Sequence, residues 1–68
     1  MKLSARNVFP GRIIAIKRGV TTANVKIEIA RGAVITSSIT MEAARDLKLK
    51  VGDRAVAIIK ASEVIIGK

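Results

Sequence analysis

From Ala23 to Ile29 the chain alternates without a break: Ala23, Val25, Ile27 and Ile29 are apolar, while Asn24, Lys26 and Glu28 are polar. Side chains on a strand point to opposite faces with a period of two, so this run requires a β-strand with one buried and one solvated face. The flanks extend the same logic. Gly11 to Lys17 carries Ile13, Ile14 and Ile16 and ends at Lys17-Arg18-Gly19, where Gly can supply the positive φ of a hairpin turn. Arg31-Gly32 marks a second turn, and Ala33 to Thr40 is rich in β-branched residues (Val34, Ile35, Thr36, Ile39, Thr40), which favour strands.

Met41 to Leu47 breaks the pattern. Ala43, Ala44 and Leu47 with charged Glu42, Arg45 and Asp46 suit a short helix, and Thr40 stands where an N-cap belongs. Lys50-Val51-Gly52-Asp53 reads as a tight turn. Ala55-Val56-Ala57-Ile58-Ile59 is apolar at every position, which predicts a strand covered on both faces, and a last strand is expected at Val64-Ile65-Ile66. Five strands with one short helix between the third and fourth is the element order of an all-β, five-stranded OB-type barrel. No linker or internal repeat divides residues 1–68, which read as a single domain.

A chain of 68 residues buries only about 60% of its unfolded surface, so it needs support beyond its own core. Disulfides and zinc-type sites are excluded by the lack of Cys and His, which leaves oligomerisation. Doubly covered strands point the same way: such barrels pack on one another or exchange edge strands in a symmetric assembly. The lack of Cys fits a cytoplasmic location. With no run of about 20 apolar residues and no signal-peptide core, the chain reads as soluble, unprocessed and without a membrane partner.

The same missing residues limit the chemistry. Without His or Cys the common general base and nucleophile are absent, and the five carboxylates form no acid/base pair. Glu42 and Asp46 lie one helical turn apart beside Arg45 and read as a solvated face. An enzyme is not expected, nor is a catalytic cofactor or a directly ligated metal cation.

A net charge of +8 nevertheless favours anions. Nucleic acid is the usual partner of such charge, but the basic residues form no run of five, and Phe9 is the only aromatic, too little for a base-stacking platform. A basic OB-type module contacting phosphates alone stays as the alternative. A compact oxyanion fits better, because hydroxyls, backbone N–H groups and one or two cations can surround it without rings or metals. Ser4-Ala5-Arg6-Asn7 and Lys60-Ala61-Ser62, with Thr40, supply that set: hydroxyls from Ser4, Thr40 and Ser62, cations from Arg6 and Lys60, and the Ala61 amide. Each has a plainer use. Ser4 and Asn7 suit a terminal turn, Arg6 and Lys60 a solvated surface, and Thr40 a helix cap.

Together these segments resemble the molbindins (Mop family), small molybdate- and tungstate-binding proteins of TOBE type, and the resemblance spans essentially the whole chain. The matching features are Ser4-Ala5-Arg6-Asn7, Gly11, Lys17-Arg18-Gly19-Val20, Ile35-Thr36-Ser37-Ser38-Ile39-Thr40, Leu49-Lys50-Val51-Gly52-Asp53 and Ile59-Lys60-Ala61-Ser62-Glu63-Val64. The resemblance implies a homo-hexamer, a trimer of dimers, that binds molybdate or tungstate between subunits for storage or homeostasis. It assigns Ser4, Arg6, Thr40, Lys60, Ala61 and Ser62 to that interface site. Gly19, Val20, Thr21 and Thr22 are assigned to a second site on a symmetry axis. Where several relatives carry Ser in the first helical turn, this chain has Ala43, one hydroxyl donor fewer. A partial positive charge at the helix N-terminus after Thr40 is expected to add to the attraction.

Overall fold

The computed structural model describes residues 2–68. Strands β1 (Asn7–Arg18), β2 (Thr22–Ala30), β3 (Ala33–Thr40) and β4 (Arg54–Ile59) form one antiparallel sheet in the order β3-β2-β1-β4. Helix α1 (Met41–Asp46) links β3 to β4, and a single 3-10 turn (Ala61–Glu63) follows β4. The alternating run of β2 is the centre of the molecule. Ala23, Val25 and Ile27 are buried, and Asn24, Lys26 and Glu28 face solvent.

Long β1 works in two halves. Asn7 to Arg12 pairs with β4, Arg12 to Arg18 pairs with β2, and Arg12 faces both Glu28 and Arg54. The sheet curls at this handover. Ile14 is the extra residue of a bulge between Ile13 and Ala15, and bulges bend a strand and increase its twist. At Gly11 a Cβ would stand 2.5 Å from the carbonyl oxygen of Glu28, so only glycine allows β1 to cross β2 this closely. The turn before β4 locks the bend: Ile13 N–H donates to Asp53 O (2.9 Å) and Gly52 N–H to Ile13 O (2.8 Å). The first strand starts four residues before the Gly11 expected from sequence. Pro10 is tolerated there because residues 7–11 pair with β4 alone and leave the other side of the strand unpaired.

Ile13, Val25, Ile27 and Ala57 form the core, ringed by half-buried Ile16, Ile29, Ile35, Ile39, Leu49 and Ala55. Thr40 caps α1, its Oγ1 accepting from Ala43 N–H at 3.0 Å, and the helix buries Met41 and Ala44 against Ala23. Leu47, expected inside the helix, is its C-cap and is exposed. The hairpin glycine also differs from expectation. Gly32 and Gly52 adopt positive φ, but Gly19 does not; it closes the β1–β2 turn by donating its N–H to Thr22 O at 2.8 Å.

Two further expectations are corrected. The described residues form a curled, open half-barrel of four strands, and Val64-Ile65-Ile66 pairs with nothing. Between β4 and these residues stands the 3-10 turn, closed by Glu63 N–H to Lys60 O (2.9 Å) and Val64 N–H to Ala61 O (3.3 Å). Nor is β4 covered on both faces within one chain. Ala57 is buried, but Val56 and Ile58 on the opposite face remain 40% and 42% exposed. With Val8 and Pro10, their cross-strand partners on β1, they form an exposed apolar row.

Candidate oxyanion site

The register of β1 against β4 brings the two ends of the chain together. Asn7 lies opposite Ile59, so Ser4-Ala5-Arg6 before β1 and Lys60-Ala61-Ser62 after β4 leave the sheet at the same end. Asn7 secures this arrangement, its side-chain Nδ2 donating to Ile59 O at 3.0 Å. One N–H of its amide therefore holds the two segments in place. Arg6 and Lys60 bring positive charge there, with the hydroxyls of Ser4 and Ser62 and the Ala61 amide in the same segments; neither segment contains a carboxylate, and Glu63 follows directly after Ser62. Ser4, Arg6, Lys60, Ala61 and Ser62 are all exposed.

Thr40 stands apart from this group. It pairs with Thr22 at the far end of the sheet, and the whole 12-residue length of β1 separates it from Asn7. Its neighbours there are Gly19, Val20, Thr21 and Thr22, the other set named from sequence. Met41 N–H donates to Thr21 O at 2.9 Å, tying the helix start to that loop. The ten residues thus fall into two groups, Ser4, Arg6, Lys60, Ala61 and Ser62 at one end, and Thr40 with Gly19 to Thr22 at the other. Sequence order alone could not reveal this split, because it follows from which strand ends coincide.

The second group offers fewer free donors than the sequence suggests. Met41 and Ala43 N–H groups are already bonded to Thr21 O and Thr40 Oγ1, and Glu42 adds a negative charge to the first turn. What remains at Thr40 is its hydroxyl proton, since accepting one bond leaves a hydroxyl free to donate. Ala43 is half-buried at the point where relatives' Ser is expected. No single end encloses a ligand: every residue named for either group is exposed, with Val20 the most so.

Among the described residues no three His, Cys, Asp or Glu side chains gather as a metal site, and no helix is long and apolar enough to cross a membrane. The feature that sequence reading assigned to no residue set is the exposed row Val8, Pro10, Val56 and Ile58. Its signal was the uninterrupted apolar run of β4.

A family model described as the TOBE domain matches residues 3–66. The chain is 43% identical over 67 residues to the probable molybdenum-pterin-binding protein of Haemophilus influenzae, a match covering 98% of this chain and 97% of the other. MopII from Clostridium pasteurianum superposes with a TM-score of 0.91 at 39% identity, covering 98% of this chain and all of MopII. The cytoplasmic molybdate-binding protein ModG, with molybdate bound, superposes with a TM-score of 0.91 at 45% identity, covering 96% of this chain and 46% of ModG.

Proposed function

Because this chain belongs to the TOBE domain family, among its molbindin-type (Mop) members, we propose that it binds molybdate by hydrogen bonds and positive charge, without catalysis. The observation that carries this reading is the β1–β4 register, which puts Arg6, Lys60, Ser4, Ser62 and the Ala61 amide at one end of the sheet. A tetrahedral dianion needs donors on several sides, and charge-assisted hydrogen bonds are the strong ones. A site of donors alone suits a fully deprotonated anion. Phosphate at neutral pH keeps a proton that needs an acceptor, and sulfate is smaller. Tungstate, nearly the same size and charge as molybdate, fits the same donors.

Every named donor is exposed in one chain, so enclosure calls for neighbouring subunits. On this reading residues 1–68 form one molybdate-binding domain that assembles as a hexamer, a trimer of dimers. Thr40 of one subunit meets the Arg6 and Lys60 end of another, while Gly19 to Thr22 line a second site on a symmetry axis. Ligand bound between subunits stabilises the assembly by mass action, which suits a cytoplasmic store or buffer. The relatives' names favour the oxyanion over a nucleic-acid module contacting phosphates.

Isothermal titration with molybdate tests the reading. The protein is expected to bind molybdate in preference to sulfate and phosphate, and Lys60→Ala is expected to weaken binding about tenfold or more, the loss of a hydrogen bond to a charged group. Lys60 is exposed, so the apo protein's melting temperature should not change. Unchanged affinity in Lys60→Ala removes Lys60 from the site, and no molybdate binding by the wild type ends the proposal.

A further inference from the structure

Helix α1 ends in a motif that ordinarily calls for glycine. Lys48 N–H donates to Arg45 O (3.0 Å) and Leu49 N–H to Ala44 O (3.2 Å), the two bonds that close a helix whose following residue turns left-handed. That residue is Lys48, with φ 52°, the one non-glycine residue of positive φ among the described residues. Glycine takes this conformation without steric cost and a side chain does not. A cation here complements the helix dipole, but Arg45 already does so from the last turn. The cap alone therefore does not account for a lysine.

The strained residue lines a groove of about 600 Å³. Arg18, Arg45 and Lys50 line it too, so four cations surround the groove and no carboxylate does. Buried Met41 and Ala44 and half-buried Leu49 form its apolar floor. Arg18 is anchored on the wall, its Nη2 donating to Leu49 O at 3.1 Å, which leaves the other N–H groups of the fork for a ligand. Asp53 turns its carboxylate to the Lys50 N–H at 3.1 Å and stays out of the groove. The four cations repel one another until an anion joins them. An apolar floor of this volume with a few convergent polar groups has the character of a small-molecule site.

We propose that this groove binds an organic phosphate, a ring-bearing molecule with two or more negative charges and about the size of a nucleoside diphosphate. The ring lies on Met41, Ala44 and Leu49. Lys48 and Lys50 meet the phosphates as point charges, while Arg18 and Arg45 pair with them edge-on or stack on the ring. A bare oxyanion would leave the apolar floor uncovered. An acidic peptide fits less well, because six-residue α1 makes a wall of only about 9 Å, room for about two same-face carboxylates of an extended chain. A second copy of this chain has five carboxylates, no two adjacent, and matches the groove no better. The site is independent of the oxyanion reading, since its lining includes neither Arg6, Thr40 and Lys60 nor Gly19 to Thr22.

ADP is the probe, titrated calorimetrically into the full chain, with adenosine and pyrophosphate as its two halves. ADP is expected to bind more tightly than either half. Lys48→Gly removes the cation and gives the cap its preferred residue, so the melting temperature should hold or rise while ADP affinity falls about fivefold. Lys48→Gln removes the charge alone and should lose as much affinity. Unchanged ADP affinity in both variants overturns the proposal, as does pyrophosphate binding as tightly as ADP, which would reduce the groove to a general attraction for charge. A short acidic peptide that displaces ADP at equal concentration would make the groove a protein-docking site and overturn it as well. Molybdate affinity should be the same in both variants as in the wild type. Failure with ADP therefore leaves molybdate binding standing, and ADP binding stands even if molybdate does not bind.

Discussion

The middle of β2 and the region from β4 to the C-terminus are equally aliphatic, yet one chain completes only the first. Ala23, Val25 and Ile27 alternate with polar residues and are buried by their own chain. Val56, Ile58, Val64, Ile65 and Ile66 lack that polar alternation and remain exposed. Alternation marks apolar surface that the chain covers itself. The apolar run without it is surface that this chain leaves uncovered. The proposed anion donors Lys60 to Ser62 lie inside the second region, where a subunit boundary would bring further donors.

The sharpest way to break this contrast is to truncate the finished side. Ile13 is 1% exposed and lies opposite Ile27 at the point where β1 changes partners. Ile13→Ala is expected to cost about 2–5 kcal/mol, a lost aliphatic group plus the cavity it leaves. For so small a domain that is a large share of the total, so urea titration followed by far-UV circular dichroism should show a midpoint near zero denaturant or no cooperative transition. Dichroism is the appropriate probe because the chain has no Trp or Tyr. A loss below about 1 kcal/mol would mean that the core is not where stability resides.

The finished half was legible in the sequence, and the unfinished half was legible only as an unresolved excess of apolar residues. Strand β3 at Ala33–Thr40, the Thr40 cap and the Lys50–Asp53 turn follow from local chemistry, and the structure has all three. Two features depended on distant partners and one on a local turn. The start of β1 at Asn7 depends on β4, the curl at Gly11 depends on the approach of the Glu28 carbonyl, and the course of Val64-Ile65-Ile66 follows a 3-10 turn without a sequence signature. For the site, the donors were readable as residue types. Their division between two ends of the sheet was not, because it is set by strand register.

The unfinished side predicts a different kind of loss. Ile58→Asp places a charge in the exposed row beside Val8, its cross-strand partner. Within one chain the change should stay inside about 0.5 kcal/mol, as for surface substitutions generally. Between chains it should be severe, because a charge would be buried unpaired. Analytical ultracentrifugation should show smaller species with an unchanged β-sheet spectrum. The wild type's melting temperature should rise with protein concentration and the variant's should not. If Ile58→Asp unfolds as completely as Ile13→Ala, the two regions do not differ and the contrast fails.

The smallest effect tests whether the two ends of the sheet meet across subunits. Thr40→Val keeps the β-branched shape and removes the hydroxyl that accepts from Ala43 N–H. Loss of a cap costs about 1 kcal/mol, so a slightly lower melting temperature is expected without ligand whatever else Thr40 does. Molybdate affinity carries the separate information. Because Thr40 and Asn7 stand at opposite ends of the strand pairing, an effect of Thr40 on an anion held by Arg6 and Lys60 is expected to come from a neighbouring chain. A several-fold weaker affinity in Thr40→Val, restored by Thr40→Ser, is the expected result by calorimetry. Lower stability with unchanged affinity would make Thr40 a helix cap and nothing more. The anion would then belong to the Arg6 and Lys60 end alone.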